Sequence, residues 1–559
     1  MRSLLPFIFA LPFTLSTPIN HAARGHTEPS VVLQNGTVIA RTIKGVENFK
    51  GLPYAQPPIG ELRLRPPRSL NTNFGTIESE LLPAACPQFW SRLDGSNIPE
   101  DIAGIITNSE LFKEVTLQSE DCLTLNVQRP AGISSTAKLP VVVWILGGAF
   151  AIGATQMYDG TRIVKQSVNL GQPVIFVTMN YRLGGFGFLP GKEVSKDGSS
   201  NLGLRDQRLA LQWVQENIAT FGGDPEKVVL WGESAGAISI LDHTIMNGGD
   251  ISYNGRDLFR GAIMNSGSTT PTVPVDHPKA QAIYNAVISA AGCASDVDSL
   301  NCLRALPFEQ VSDAFASVPS FFSYTSIDLS YLPRPDPADN FLPESPEIAI
   351  RHGRFAKLPI INGDQNDEGT LFSLTQSNVS TAEDLVDYLL PIFPTADRDQ
   401  IAGLVAAYPD EALSPLSTDS LLKKSIYPQF DRLSTLLGDI SFSFQRRSYL
   451  EHVASQVPSW SYNANYLPVP VLGTFHASDV LAMFFDVPYI LTTPSILTYY
   501  IAFMNHLDPN RIENIKTWPR YDVEKQMLEF GALMHNVITD DFRTGSYQYF
   551  TNNQDILRV

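Results

Sequence analysis

Followed as a pattern of apolar and polar positions, the chain breaks into short, continuously apolar runs separated by longer amphipathic stretches. Leu139–Ile145 (LPVVVWI), Pro173–Asn180 (PVIFVTMN), Val228–Trp231, Gly261–Asn265 and Leu358–Ile361 are strand-length runs without a polar face. That is the pattern of strands covered on both sides. Asn201–Phe221 (NLGLRDQRLALQWVQENIATF) carries its apolar residues at helical spacing and leads through Gly222-Gly223-Asp224-Pro225 into the run at Val228. Strands alternating with helices and long connections predict an α/β chain: a large, mostly parallel central sheet flanked by helices, with ligands at the carboxyl ends of the strands.

Other stretches read differently. Ser30–Val46 alternates short apolar runs around Asn35-Gly36, a hairpin sequence, and predicts antiparallel strands at a sheet edge. Phe49–Pro67 (FKGLPYAQPPIGELRLRPP) is broken so often by proline that it predicts an irregular surface segment. MLEFGALMHNVI, around His535, reads as helical. Val487–Met504 carries no charge, but Pro488 and Pro494 and its scattered Thr and Tyr predict a buried helix or pocket wall rather than a membrane span.

Composition narrows the function classes. At 559 residues and 43% hydrophobic, the chain can bury a large core, and length alone would suggest several domains. A net charge of −17 supplies no footprint for nucleic acid or anionic lipid. Residues 1–23 have the make-up of a secretory signal: Arg2, the apolar run Leu4–Leu15, then small and polar residues through Ala22-Ala23. Behind such a signal, the even set Cys86, Cys122, Cys293 and Cys302 predicts disulfides rather than a metal site. Of the three possible pairings, the sequential one is simplest. Asn35 and Asn378 stand in glycosylation sequons that fit an exported protein, and the polar end TNNQDILRV is not a lipid-anchor tail.

The chemistry centres on Lys227–Ile238 (KVVLWGESAGAI), where an apolar run breaks at Gly232-Glu233-Ser234-Ala235-Gly236 into a helix-compatible segment. A strand turning sharply into a helix lifts a serine above the sheet and needs near-absent side chains on both flanks, which Gly232 and Gly236 provide. The helix start also aims its positive end and free N–H groups, with that of Ala235 nearest, at an oxyanion formed there. Ser234 is therefore the candidate nucleophile. Gly147-Gly148-Ala149-Phe150, after the Leu139–Ile145 run, is a turn that can present further backbone N–H groups.

A serine hydroxyl needs a base, and the base needs a third group to hold it. In the order nucleophile, acid, histidine, the acid follows a later strand. Gly363–Thr370 (GDQNDEGT) offers Asp364, Asp367 and Glu368, among which these considerations do not choose. Of the later histidines His452, His476, His506 and His535, His476 is best placed, after an apolar segment and Gly473. His452 sits in a helical context with Glu451 and Arg446-Arg447, which predicts a solvated role for the histidine, and His535 reads as structural.

Between Cys86 and Cys122, Asn97 and Glu100 can cap a helix whose Ile98, Ile102, Ile105 and Ile106 share one face. Such a helix either packs permanently on the body or forms a tethered flap.

Together these residues resemble the type-B carboxylesterase/lipase family, and within it the secreted fungal lipases of the Candida rugosa type. The likeness rests on Gly51-Leu-Pro-Tyr-Ala-Gln-Pro-Pro58, Ser119-Glu-Asp-Cys-Leu-Thr-Leu-Asn126, Gly147–Phe150, Asn180-Tyr-Arg182, Gly203-Leu-Arg-Asp-Gln207, the serine turn, Tyr331-Leu-Pro-Arg-Pro-Asp336, Gly363–Thr370 and Gly473-Thr-Phe-His476. The resemblance implies an α/β-hydrolase fold as one domain over residues 24–559, a secreted ester hydrolase without metal or cofactor, Glu368 as the acid and His476 as the base. It also implies oxyanion N–H groups on Gly148, Ala149 and Ala235, disulfides Cys86–Cys122 and Cys293–Cys302, and a lid in the loop carrying the four isoleucines. Where related cholinesterases place a tryptophan for a cation in that loop, this chain has isoleucines, which favours a neutral, fatty ester. Phe150 and Phe372, beside the turn and the acid, are candidate acyl-pocket walls. Rival readings are a soluble-ester carboxylesterase, a sterol esterase, and a non-catalytic binding relative; relatives of the last kind typically lack the serine.

Overall fold

The computed structural model describes residues 28–79, 82–89, 117–409, 425–466, 468–485 and 493–559, with 104, 109 and 115 between. In chain order the strands are β1 (Ser30–Leu33), β2 (Gly36–Ile39), β3 (Arg41–Ile43), β4 (Val46–Pro53), β5 (Gly75–Glu78), β6 (Thr124–Pro130), β7 (Leu139–Ile145) and β8 (Ile175–Met179). They continue with β9 (Gly223–Glu233), β10 (Ser252–Tyr253), β11 (Arg256–Asp257), β12 (Gly261–Asn265), β13 (Ile360–Gln365), β14 (Ser459–Asn465), β15 (Gln526–Gly531) and β16 (His535–Thr539). Eleven of them form one sheet in the order β16-β15-β14-β13-β12-β9-β7-β8-β6-β4-β3. From β15 to β8 the strands are parallel, and both margins are antiparallel.

The apolar runs take the middle of that sheet because no polar face has to reach water. Val141, Val142, Val143, Val228, Val229 and Leu230 are wholly buried. Side chains alternate across the sheet. Trp231 meets Trp144 at 4.9 Å and Tyr500 at 5.5 Å on one face. Gly232 turns to the other face, against the helix that follows Ser234. The helices that matter for the site are α1 (Leu202–Asn217), α2 (Ala235–Gly249, interrupted at Met246–Gly248), α3 (Phe430–Gly438), α4 (Phe444–Val453), α5 (Ser478–Phe484) and α6 (Thr493–His506). A π-helical turn, Asp439–Ser443, joins α3 to α4.

Several expectations are corrected. The first residues of Phe49–Pro67 belong to β4, because Pro53 stands last in the strand and the other prolines lie beyond it. MLEFGALMHNVI forms the hairpin β15–β16 rather than a helix; pairing with β14 overrides a helix-like spacing of apolar residues. His452 is exposed on α4, as its helical context suggested, whereas Arg446 and Arg447 on the same helix are almost fully buried, and Asp540 pairs with each at 2.7 and 2.8 Å. The Ser30–Val46 hairpin exists, but its two-residue loop is Gln34-Asn35 and Gly36 already pairs with Leu33. It forms a separate small sheet with β5, while β3 and β4 occupy the edge of the large one.

Both disulfides pair sequentially, Cys86–Cys122 and Cys293–Cys302. Among the described residues, the grouping of metal-ligand type is Cys293, Asp296 and Cys302, whose cysteines are joined and carry no thiolate. Of Val487–Met504, the described part lies in α6, and Ile496–Met504 are all buried. Among the described residues no helix is long and apolar enough to cross a membrane. Ile98, Ile102, Ile105 and Ile106 lie outside the described residues, as does the candidate signal.

Candidate active site

Four loops at the carboxyl ends of β7, β9, β13 and β14 converge over the middle of the sheet. β9 ends at Glu233 and α2 begins at Ala235, so Ser234 alone makes the turn, at φ 55° and ψ −125°. A side chain in that conformation costs about 1–3 kcal/mol and persists only when its surroundings enforce it. They do: the Ser234 N–H donates to the Asn265 carbonyl at the end of β12 at 2.9 Å, and the Ser234 carbonyl accepts from Ile238 N–H at 2.9 Å. The flanking glycines are steric necessities. A Cβ on Gly232 would lie 2.7 Å from the Gly236 carbonyl carbon.

The later loops complete the constellation. Glu368 follows β13 by three residues and His476 lies in the loop after β14. His476 Nε2 is 2.7 Å from Ser234 Oγ, and its Nδ1 is 2.5 Å from Glu368 Oε2. Glu368 Oε1 is fixed from behind by the Gln365 N–H at 2.6 Å. With Nδ1–H donating to Glu368, Nε2 is left as the acceptor for the serine proton. Of the three carboxylates open at the sequence level, only Glu368 reaches the imidazole. Asp364 instead pairs with buried Arg446 at 2.6 Å, and Asp367 accepts the Thr474 N–H at 2.8 Å. His535 accepts from or donates to Ser495 at 2.7 Å, far along the chain from this loop, and His452 is exposed on α4.

Electrostatics bear directly on the base. Burial disfavours the imidazolium of His476, but the carboxylates of Glu368 and then Glu233 outweigh burial and raise its pKa from 6.5 to about 9. Glu233 Oε1 lies 3.3 Å from Nε2, on the same side as Ser234 Oγ. Burial in turn pushes the Glu233 carboxyl well above the ordinary carboxylate range. Asp479, three residues after His476, is pushed up to about 6 by burial, against the hydrogen bond it accepts from Asn265 Nδ2 at 2.7 Å. Glu233 and Asp479 are thus two further acidic groups acting on His476 that sequence reasoning passed over. The available signal was a carboxylate ending an otherwise apolar strand, VVLWGE, which is costly unless something there uses it.

Ser234 stands between two cavities. The larger, about 720 Å3, is walled mainly by apolar side chains, among them Phe150, Ile238, Leu329, Phe372, Phe393 and Phe442. The smaller, about 520 Å3, is lined by Gly148, Ala149, Tyr158, Glu233, Phe321 and His476. Phe150 and Phe372 both reach the larger cavity, Phe372 facing the His476 ring at 5.1 Å and Phe442 at 4.6 Å. The π-helical turn between α3 and α4 delivers Ile440, Ser441 and Phe442 to this wall. Gly148, Ala149 and Phe150 are three successive left-handed residues, at φ 98°, 55° and 56°, which curl the turn after β7 beside Ser234. Ala235, first in α2, has no preceding helical turn to take its N–H. The arrangement can activate a hydroxyl, stabilise negative charge beside it and hold an apolar chain.

Asn378 is exposed, its Nδ2 donating to the Tyr324 hydroxyl at 3.1 Å, and Asn35 is half-buried with its Nδ2 donating to the Thr72 carbonyl at 3.1 Å.

Residues 27–550 match the family model described as "Carboxylesterase family". "Secreted lipase 1" of Botryotinia fuckeliana is 45% identical, over 99% of this chain and 98% of the relative. "Secreted triacylglycerol lipase LIP1" of Gibberella zeae is also 45% identical, over 95% of this chain and 91% of the relative, and "Lipase 4" of Diutina rugosa is 39% identical over 94% and 96%. Among solved structures, Aspergillus niger EstA superposes with a TM-score of 0.78 at 26% identity, covering 95% of this chain and 99% of that one. The chain belongs to the carboxylesterase family and has its α/β-hydrolase fold.

Proposed function

We propose that this protein is a secreted lipase that cleaves the carboxylic ester bonds of triacylglycerol-type lipids through an acyl-enzyme, within one catalytic domain. Ser234 Oγ attacks the ester carbonyl as its proton passes to His476 Nε2; Glu368 holds the ring and faces the positive charge it acquires. The N–H groups of Gly148, Ala149 and Ala235 receive the developing oxyanion. His476 then delivers the proton to the departing alcohol, and water, activated at the same nitrogen, releases the fatty acid and restores Ser234. Every step is served by side chains and backbone of the chain itself.

The observation that carries this reading is the apolar cavity that opens on Ser234 at the same point where His476 reaches its hydroxyl. A fatty acyl chain lying against Phe150 and Phe372 would bring its carbonyl to the serine. The secreted-lipase names of relatives at 45% identity support both the lipid substrate and export, and the disulfides suit an oxidising compartment. In this reading the loop closed by Cys86–Cys122 is the lid, whose isoleucine face meets the lipid–water interface when it opens, and Asn35 and Asn378 carry glycans. The test is hydrolysis of a short-chain triglyceride followed through its solubility limit. A jump in rate at that limit is the expected result, and smooth saturation would point instead to a carboxylesterase of soluble esters.

A further inference from the structure

The loops that bring Glu368 and His476 together are tied to each other through one residue, Asp367. Its backbone N–H donates to the Thr474 carbonyl at 3.0 Å, and its carboxylate Oδ2 accepts the Thr474 N–H at 2.8 Å. Thr370, in the same turn, adds a hydroxyl bond to the Leu472 carbonyl at 2.7 Å. Asp367 and Phe475 pair as an isolated parallel bridge, so this junction prolongs the β13–β14 pairing beyond both strands to the residue before His476. Gly473 is shaped to the carboxylate: its φ is 64°, and a Cβ there would fall 2.2 Å from Asp367 Oδ2.

The Glu368 carboxylate has its own anchor at Gln365, so the coordinate left for Asp367 to set is where the His476 loop sits relative to it. The Asp367 carboxylate is 6% exposed, and among the described residues no cation lies within ion-pair range of it. Burial first and Glu368 after it raise its pKa to about 6, against the bonds from Thr474 and Asn366 and the charge of Arg543, itself paired with Asp439 at 2.6 Å. A buried carboxylate held without a partner cation is expensive, and here its bonds go to the backbone that carries the base.

We propose that Asp367 is a positioning residue for the hydrolysis: by binding the Thr474 N–H it fixes the distance between the Glu368 carboxylate and the His476 imidazole. The proposal rests on the Ser234–His476–Glu368 reading above. Its test is kcat per active site, titrated with an organophosphate, together with the pH profile on a soluble p-nitrophenyl ester, for Asp367→Leu, Asp367→Asn and Gly473→Ala. A slack of the order of 1 Å in the loop should lower kcat about 10- to 100-fold in Asp367→Leu with KM little changed. The acid limb should move to lower pH, because the carboxylate that raises the His476 pKa is then less well placed. Asp367→Asn keeps a neutral acceptor and should recover most of the loss, while Gly473→Ala, which retains the carboxylate but pushes it away from the Thr474 N–H, should repeat the Asp367→Leu profile. Gly473→Ala and Asp367→Asn carry the test if Asp367→Leu does not fold. Titrated sites that turn over at the wild-type rate, or a lower kcat with an unmoved acid limb, would overturn the proposal. A wild-type protein that the organophosphate does not label would instead overturn the hydrolase reading beneath it.

Discussion

A Cβ placed on Gly236 would lie 2.0 Å from the carbonyl oxygen of Ile145. Ile145 closes β7 and Gly236 is the second residue of α2, so the helix that begins after Ser234 rests directly on the backbone of the neighbouring strand. Neither partner is the end of a flexible side chain, and relief requires the helix to move. Gly236→Ala should therefore tilt α2, displace Ser234 and slow organophosphate labelling by about 10²-fold. Labelling at the wild-type rate would mean that the helix has room that the structure denies it.

Substitutions at Ser234, Glu368 and Asp367 give a graded expectation. Ser234→Ala should abolish labelling and cut turnover by several thousandfold or more, on the order of 10³–10⁶. Glu368→Gln, which preserves shape but takes away the charge facing His476, should cost about 10⁴-fold. Asp367→Asn should cost far less. The reverse order of the two acids, read from kcat on p-nitrophenyl butyrate, would reassign the acid.

The pH dependence follows from which form of His476 works. Only the neutral ring accepts the serine proton, and the proton on His476 is held up to a pKa of about 9. kcat/KM should accordingly rise with pH along the acid limb as that proton leaves. Glu233→Gln removes the second largest of the three carboxylate contributions, from Glu368, Glu233 and Asp479, that raise this pKa, so its acid limb should lie at lower pH than the wild type. The same sign governs stability: a value raised above 6.5 in the folded chain contributes stability that is complete below 6.5 and fades as pH rises through about 9. An acid limb that stays put or moves up in Glu233→Gln would show that Glu233 does not act on the ring.

The disulfides should contribute unequally. Cys86–Cys122 closes 36 residues and Cys293–Cys302 closes 9. In the chain-entropy model these correspond to about 4 and about 2.5 kcal/mol of unfolded-state restriction. Thermal unfolding of the paired Cys→Ser variants should show the larger loss for Cys86/Cys122. That variant should also lose more activity on emulsified triolein than on a soluble ester if the loop it closes is the lid.

Much of the fold was legible because its central strands have no polar face. Leu139–Ile145, Val228–Trp231 and Gly261–Asn265 can be nothing but covered strands, and Gly232-Glu-Ser-Ala-Gly236 can make only a sharp turn at the end of one. The same local reasoning misjudged MLEFGALMHNVI and did not reach the burial of Arg446 and Arg447. Whether a spacing settles as helix or hairpin depends on the neighbouring strand β14, and whether an arginine meets water or Asp540 depends on a residue 94 positions further along the chain.

The sequence by itself determined the kind of chemistry: a serine on a glycine-flanked turn, an acid and a histidine in the right order behind it, and cysteines that suit export. It left three carboxylates level, and the family resemblance, rather than any property of the residues, pointed to Glu368. The tertiary structure decided among them by distance. β13 and β14 run side by side and end together, so of Asp364, Asp367 and Glu368 one turns down to Arg446, one ties the histidine loop and one meets the imidazole. Side chains within five residues of each other in the chain are given separate tasks by the direction each takes from a strand end, and direction is fixed only when the sheet has formed.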